Sequence, residues 1–184
     1  MKTLAVVLAA GAGSRFSGPT HKLLAPFRGS TVIEHAVAAA VAAGIGPVLV
    51  VAGAVELPAF DGATVAHNPR WAEGQATSLQ AGLAAAADAG ADAVVIGLGD
   101  QPLVSPAAWR AVAAAEGGPI VAATYDGERR LPVRLDRTVW PLIPLSGDEG
   151  ARLVMRSHPE LVTEVAAVGD ALDIDTAEDL DRWS

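Results

Sequence analysis

The sequence predicts an α/β protein with three layers, in which a mainly parallel sheet of about seven strands carries helices on both faces. Continuous apolar runs such as TLAVVLA (3–9), PVLVVAG (47–53) and DAVVIGLGD (92–100) are typical of strands buried on both sides. Helix signals separate these runs, so strands and helices alternate along the chain. The remaining expected strands are ATVAHN (63–68), PIVAATY (119–125), LVTEVAA (161–167) and a short one, ALDID (171–175).

Capping signals predict where the helices begin. Thr31 and Glu34 have the spacing of a capping box, and the helix that follows is expected to end at Gly44. A second helix is expected over 76–89, ending at Gly90. Ser105 as N-cap and Pro106 in the first turn predict the start of a third helix. Capping-box pairs at Ser146–Glu149 and Thr176–Asp179 predict the starts of two more.

Length and composition favour one globular domain over residues 1–184. The net charge of −8 argues against nucleic acid as a partner, because a nucleic-acid-binding surface needs an excess of cations. The absence of cysteine excludes disulfides and thiolate metal sites, and it fits a cytoplasmic protein.

Two apolar segments could be mistaken for export or membrane signals. The start, MKTLAVVLAAGAGS, resembles a signal peptide, but cleavage would remove a core strand and its glycine loop. Residues 36–55 carry no charge over a membrane-spanning length, yet their alanines and the GIGP break favour helix, turn and strand. We therefore expect a cytoplasmic chain without membrane contact.

The stretch LAAGAGSRFSGPTHKLL (8–24) follows the first strand and is the strongest candidate for ligand binding. Gly11 and Gly13 leave room for backbone N–H groups to approach a phosphate or a base edge. Arg15 and Lys22 are natural partners of phosphate oxygens. Neither a dinucleotide fingerprint, which needs glycine at Phe16, nor a P-loop matches this loop well. A plain strand-to-helix turn with surface cations remains the alternative.

Acidic residues near the ends of the other strands could hold a cation. Asp100 directly follows a strand, although an Asp-x-Pro turn explains it equally well. The two-residue period of a strand would place Asp173 and Asp175 on one side of ALDID. Asp100 and Asp175 could share one Mg²⁺, an ion that prefers few carboxylates and keeps other positions for water and phosphate.

With these motifs in place, the chain resembles the nucleotidyltransferases that attach a nucleotide to the molybdenum cofactor, most closely the molybdopterin cytidylyltransferases. The resemblance covers almost the full length and implies a Rossmann-like nucleotidyltransferase fold. It depends on the motifs LAAGAGSRFSG with HKLL, NPRWAEGQATSLQAGL, GLGDQPLVS, LSGDEGARLVMRSHP and LDIDTAEDL.

The resemblance implies a role for each candidate residue. Arg15 would bind the β and γ phosphates, Lys22 the α phosphate, and Asp100 with Asp175 would ligate Mg²⁺, with Asp173 as a substitute ligand. Arg15, Lys22 and Asp100 would be the catalytic residues. The backbone facing the base and triphosphate would be that of Leu8, Ala9, Ala10, Gly11 and Gly13, and the base would be read at Gly74 and Ser78.

The implied reaction transfers CMP from CTP to the phosphate of molybdopterin, a phosphorylated pterin-type acceptor, and releases pyrophosphate. Guanylyl transfer to the same cofactor or to another phosphorylated acceptor, and a nucleotide-binding cofactor chaperone without turnover, remain alternatives, as does a dinucleotide oxidoreductase. A cytidylyltransferase of this kind would make transient contact with a molybdoenzyme or its chaperone.

Two departures from the family pattern concern the loop and the acceptor. Leu131 stands where relatives usually have histidine, which leaves the acceptor open, and the segment from Arg15 to Gly18 is one residue longer than usual. A cationic cluster that could receive an anionic acceptor is expected in a loop and consists of Arg129, Arg130, Arg134 and Arg137. For at least half of these arginines a simple solvated loop is the favoured alternative.

Overall fold

The computed structural model describes residues 1–184 and has strands at nearly all the expected apolar runs. The strands are β1 (Thr3–Ala9), β2 (Pro26–Phe27), β3 (Ser30–Thr31), β4 (Val48–Ala52), β5 (Ala63–His67), β6 (Ala93–Leu98), β7 (Ile120–Tyr125), β8 (Glu128–Asp136) and β9 (Val162–Ala166). The α-helices are α1 (Val32–Ala43), α2 (Gln75–Asp88), α3 (Pro106–Ala114), α4 (Ala151–Ser157) and α5 (Ala177–Trp183). Short 3₁₀ turns lie at Lys22–Leu24, Trp71–Glu73, Arg137–Leu142 and Pro159–Leu161.

The main sheet has seven strands in the order β5-β4-β1-β6-β8-β7-β9, and β2 with β3 forms a separate hairpin. β8 is antiparallel to both β6 and β7, whereas the other neighbours in the main sheet are parallel. The predicted mostly parallel, mixed sheet is therefore confirmed. The carboxyl ends of β4, β1 and β6 lie side by side, which creates the crevice where α/β proteins bind ligands.

Helices cover both faces of the sheet, which confirms the three layers. On one face, side chains of α1 and α3 such as Val37 and Trp109 pack against Val7 of β1. On the other face, Leu83 of α2 packs against a cluster that includes Val6. All seven residues of β1 are buried, because alternate side chains enter the two hydrophobic layers.

Side-chain caps fix the start of α1 and α5. The Thr31 hydroxyl accepts a hydrogen bond from the Glu34 N–H, and the Glu34 carboxylate accepts from the Thr31 N–H at 2.9 Å. Hydrogen bonds from the hydroxyls of Ser30 and Thr31 lower the pKa of Glu34. Thr176 and Asp179 form the same box before α5. Two of the three predicted capping boxes are therefore confirmed.

Two predicted elements are wrong. The Ser146–Glu149 pair is no capping box, because α4 begins after Gly150, whose φ is +47°, and has no side-chain cap. Glu149 is instead bonded to both terminal nitrogens of Arg156, at 2.6 and 2.8 Å. ALDID (171–175) is an extended connection outside the sheet. The seventh strand of the main sheet is β8, whose arginines and proline conceal its pattern.

The expected arginine loop is also wrong, because Arg129, Arg130 and Arg134 lie on β8. Arg134 is buried, with 5% of its surface exposed. Its guanidinium donates to the Ala115 carbonyl at 2.7 Å and to the Asp136 carboxylate at 2.9 Å. Since the last carbonyls of a helix have no partner within the helix, Arg134 satisfies the end of α3 and does not serve a ligand.

The uncharged stretch 36–55 forms most of α1, a turn and β4, as predicted. No helix in the chain combines the length and apolar composition needed to cross a membrane.

We expect Arg134→Ala to lower the free energy of unfolding by about 2–4 kcal/mol, because it leaves buried carbonyls and a half-buried carboxylate without a partner. Equilibrium unfolding in urea measures this loss. Arg129→Ala is the matched control on the same strand, since its ion pair with Glu164 is exposed and should contribute about 0–1 kcal/mol. Equal losses in the two variants would contradict the role of Arg134.

Candidate active site

A cavity of about 330 Å³ opens where β1 and β6 end. All but one of the residues expected to bind the nucleotide or the metal line it, and these residues are Leu8, Ala9, Ala10, Gly11, Gly13, Arg15, Lys22, Gly74, Ser78, Asp100 and Asp175. The exception is Asp173, the expected substitute ligand. The chain thus brings its first loop, the start of α2, the end of β6 and the segment before α5 to one place.

The glycine loop follows β1 and forms one wall of the cavity. Gly13 has φ +61°, and a Cβ there would lie 3.1 Å from His21 Nε2, so the fold itself favours glycine at this position. A Cβ on Gly11 would meet nothing within 4 Å, and its φ lies outside the left-handed region. The fold therefore does not require glycine at position 11, and the space beside its Cα is open to the cavity.

Lys22 lies between two carboxylates at the floor of the cavity. Its ammonium donates to Asp100 Oδ2 at 2.6 Å and to Asp175 Oδ1 at 2.9 Å. Burial alone would lower the pKa of Lys22, but the charges and hydrogen bonds of Asp100 and Asp175 outweigh it and raise the pKa. Arg15 contacts the other oxygen of Asp175 at 3.2 Å and is otherwise mostly exposed.

The segment after β9 brings Asp175 to Asp100. The N–H of Ile174, a fully buried residue, donates to the Asp100 carbonyl at 2.8 Å. The N–H of Asp175 donates to the Asp179 carboxylate at 3.1 Å, so the capping residue of α5 also orients this loop. The two carboxylates converge although 75 residues separate them, because this cross-connection runs along the carboxyl edge of the sheet.

The donor set fits a divalent cation. Asp100 Oδ1 is buried and has no hydrogen-bond partner, which is costly unless another group satisfies it. With Asp175 it provides hard oxygen ligands of the kind that Mg²⁺ and Mn²⁺ bind. The chain has no group of three or more His, Asp or Glu side chains that could hold a metal ion, so an ion here would need water and phosphate to complete its coordination.

Asp173 does not join this pair. Its Oδ1 accepts a hydrogen bond from the Gln101 amide at 2.8 Å, and it lines a different cavity. Burial raises the pKa of Asp173, the nearby charge of Asp100 adds to the rise, and the Gln101 hydrogen bond opposes it. The structure therefore separates Asp173 from Asp175, because the segment that holds them is no strand with the two on one side.

The start of α2 forms the wall opposite the glycine loop. Gly74 has φ +105°, and a Cβ there would lie 2.4 Å from the Gly147 backbone. This glycine lets the 147–148 turn dock, since the Ala76 N–H donates to the Gly147 carbonyl at 2.8 Å. Ser78 is buried, and its hydroxyl accepts from the Asn68 amide at 3.0 Å.

Sequence reasoning missed several residues that line the cavity. Trp71 and Gln75 belong to the quoted NPRWAEGQ motif, which marked the segment but assigned roles only to Gly74 and Ser78. Asp148 lines the cavity from the turn that docks on Gly74. Only its place in the LSGDEG motif pointed to it, because a turn has no periodic pattern.

A second cavity of about 350 Å³ shares Leu8, Gln75 and Leu98 with the first. Much of its lining is apolar and includes Leu79, Ile96, Leu98, Leu131, Val133 and Met155. Arg129 and Arg130 also line it but are paired with Glu164 and Glu128. Arg152, at the start of α4, has no carboxylate partner.

Residues 5–162 match the model of the MobA-like NTP transferase domain. The chain belongs to this family. Its fold and domain make it a nucleotidyltransferase that takes a nucleoside triphosphate as substrate.

Two curated relatives are similar to this MobA-like chain over nearly its whole length. It is 34% identical over 192 aligned residues to "nicotine blue oxidoreductase" of Paenarthrobacter nicotinovorans, and the alignment covers 96% of this chain and 90% of that protein. It is 30% identical over 194 aligned residues to "purine catabolism protein PucB" of Bacillus subtilis (strain 168), covering 97% and 94%.

Solved structures agree with this MobA-like assignment. A nucleotidyl transferase from Methanothermobacter thermautotroptrophicus superposes with a TM-score of 0.84 at 28% identity, covering 98% of this chain and 95% of that one. Rv0371c of Mycobacterium tuberculosis in complex with manganese superposes with a TM-score of 0.77 at 30% identity, covering 100% and 98%.

We expect Gly11→Ala to separate binding from folding in this MobA-like domain. Without nucleotide, the melting temperature should change little or rise slightly, because the added methyl group has space and the unfolded chain loses freedom. The Kd for the nucleoside triphosphate, measured by calorimetric titration, should rise by about tenfold or more, since the methyl group would keep the phosphates from the loop. An unchanged Kd would contradict a triphosphate at this loop.

Proposed function

We propose that this chain transfers CMP from CTP to the phosphate of molybdopterin, with Mg²⁺ as the metal. The observation that carries the proposal is the convergence of Lys22, Asp100 and Asp175 beside the open glycine loop. That arrangement offers a cation for a phosphate, oxygen ligands for a metal and bare backbone for a triphosphate in a single cavity.

The cationic side chains and the loop would hold the triphosphate. Arg15 is exposed enough to reach the β and γ phosphates, and Lys22 at the floor would contact the α phosphate. Backbone from Leu8 to Gly13 would donate to phosphate oxygens and to the base. The base would lie toward Gly74 and Ser78.

Asp100 and Asp175 would hold Mg²⁺, which neutralises charge on the triphosphate when bound. The Lys22 ammonium bonds one oxygen of each carboxylate. With nucleotide and Mg²⁺ bound, Lys22 would contact the α phosphate and the two carboxylates would ligate the metal. The acceptor phosphate is already ionised at neutral pH, so attack on the α phosphorus needs no general base. Catalysis then depends on positioning and on charge stabilisation.

The second cavity is the place we propose for the acceptor. It adjoins the first through Leu8, Gln75 and Leu98, so its occupant could reach the α phosphate. Its apolar lining suits a ring system, and the unpaired Arg152 suits an anionic group. Leu131 replaces the usual histidine within this lining, so the acceptor meets an apolar contact there.

A dinucleotide oxidoreductase is the second candidate. The name of the Paenarthrobacter nicotinovorans relative, an oxidoreductase 34% identical to this chain, favours it. Phe16 stands where the dinucleotide fingerprint needs glycine, which argues against it. Fluorescence titration with NADH and NADPH tests this candidate directly, and saturable binding of either at micromolar concentration would support it.

We expect CTP with Mg²⁺ to raise the melting temperature more than GTP, ATP or UTP with Mg²⁺, because only a ligand bound to the folded chain stabilises it. Omission of Mg²⁺ should reduce the shift. Differential scanning fluorimetry at equal nucleotide concentrations measures both effects. A largest shift with GTP would favour the guanylyltransferase alternative, and equal shifts with all four nucleotides would reject the choice of CTP.

Asp100→Asn and Asp175→Asn should each slow CTP-dependent pyrophosphate release with molybdopterin on the order of 100-fold, since each removes a preorganised charge at the reacting phosphate. A coupled pyrophosphate assay measures the rates. Asp126→Asn, in the exposed turn between β7 and β8, is the matched control and should keep full activity. A cofactor chaperone without turnover would instead release no pyrophosphate in any of these proteins.

A further inference from the structure

Asp173 is a carboxylate with one oxygen fixed and the other free. Gln101 is 4% exposed, and its amide nitrogen donates to Asp173 Oδ1 at 2.8 Å and to the Ala171 carbonyl at 3.2 Å. Both amide protons are therefore used, and the orientation of the Asp173 carboxylate is set. Asp173 Oδ2 has no hydrogen-bond partner and is not among the buried unpaired atoms, so it remains within reach of solvent.

The surroundings of Asp173 specify what kind of group could use that oxygen. The carboxylate lines the second cavity together with apolar side chains such as Leu98, Leu131 and Met155. Such a lining packs against the faces of a flat ring, while a carboxylate oxygen accepts hydrogen bonds from the ring's edge. A sugar or a short hydroxy acid would leave the apolar lining without a matching partner.

We propose that Asp173 recognises the acceptor by accepting hydrogen bonds from the N–H edge of a flat nitrogen heterocycle, one in which an exocyclic amino group adjoins a ring N–H. Gln101 is the positioning residue that holds the carboxylate. This inference rests on the proposed function, because it assumes that the acceptor binds in the second cavity. It assigns Asp173 to acceptor recognition, whereas the family resemblance had offered it as a substitute metal ligand.

Asp173→Asn tests the inference with little change in shape. The amide keeps an oxygen for Gln101 and turns a donor toward the cavity, where it opposes the N–H groups of the ring. Asp181→Asn, an exposed carboxylate on α5, is the matched control. The probes are pterin and lumazine, which differ in that the 2-amino group of pterin is an oxygen in lumazine.

Fluorescence titration with saturating CTP and Mg²⁺ keeps the probes out of the nucleotide cavity. The wild type should bind pterin about tenfold or more tightly than lumazine, because a site built for a donor rejects the analogue that lacks it. Asp173→Asn should weaken pterin binding by about tenfold and remove the preference, and Asp181→Asn should do neither. The CTP-dependent melting shift should be the same in all three proteins.

Equal pterin affinity in the wild type and Asp173→Asn, equal affinity for the two probes, or no pterin binding to the wild type would each overturn the inference. The CTP-dependent melting shift and pyrophosphate release test the proposed function separately from the role of Asp173. Loss of the CTP shift or of pyrophosphate release in the wild type would reject cytidylyl transfer itself. Retention of both with no effect of Asp173→Asn would leave cytidylyl transfer standing and reject only the role of Asp173.

Discussion

The ion pairs of Lys22 with Asp100 and Asp175 are the constraint on which the functional cavity depends. They join the loop after the first strand to the end of β6 and to the segment before the last helix, three parts of the chain that are distant in sequence. One ammonium shared by two carboxylates leaves the cluster one negative charge in excess, which Arg15 offsets from the rim. The cluster is therefore balanced without a ligand and can be rearranged by one, because a phosphate competes for the ammonium and a metal for the carboxylates.

The two cavities divide the chemistry between a polar and a more apolar compartment with a common wall. Charged side chains and bare backbone dominate the first, which suits a triphosphate. The second has a larger apolar share and carries Asp173 at its edge. The two aspartates of the LDID segment, Asp173 and Asp175, thus line different compartments. The segment can do this because it is an irregular connection, held by the Ile174 N–H on the Asp100 carbonyl.

Much of the fold could be predicted from the sequence because its strands are uniformly apolar and its helices carry local caps. The apolar composition of β1, β4 and β6 was enough to predict these strands. The spacing of Thr31 and Glu34 was enough to predict the start of α1. β8 could not be recognised, since Arg129 and Arg130 lie at its exposed end and the charged Arg134 interrupts its buried half. The family motifs pointed to residues that do line one cavity, but contacts such as Asp148 beside Gly74 depend on how two loops dock, which no local pattern encodes.

The capping box of α5 links the last turn of the chain to the centre of the molecule. Asp179 accepts hydrogen bonds from the N–H groups of both Thr176 and Asp175, so the carboxylate of Asp175 is aimed by a helix of only seven residues at the carboxyl terminus. A helix of about two turns is marginally stable on its own and depends on its packing. Local opening of α5 would release the Asp175 N–H while leaving the sheet intact, so the affinity for the proposed metal would respond to temperature or to a partner bound at α5 well before the protein unfolds.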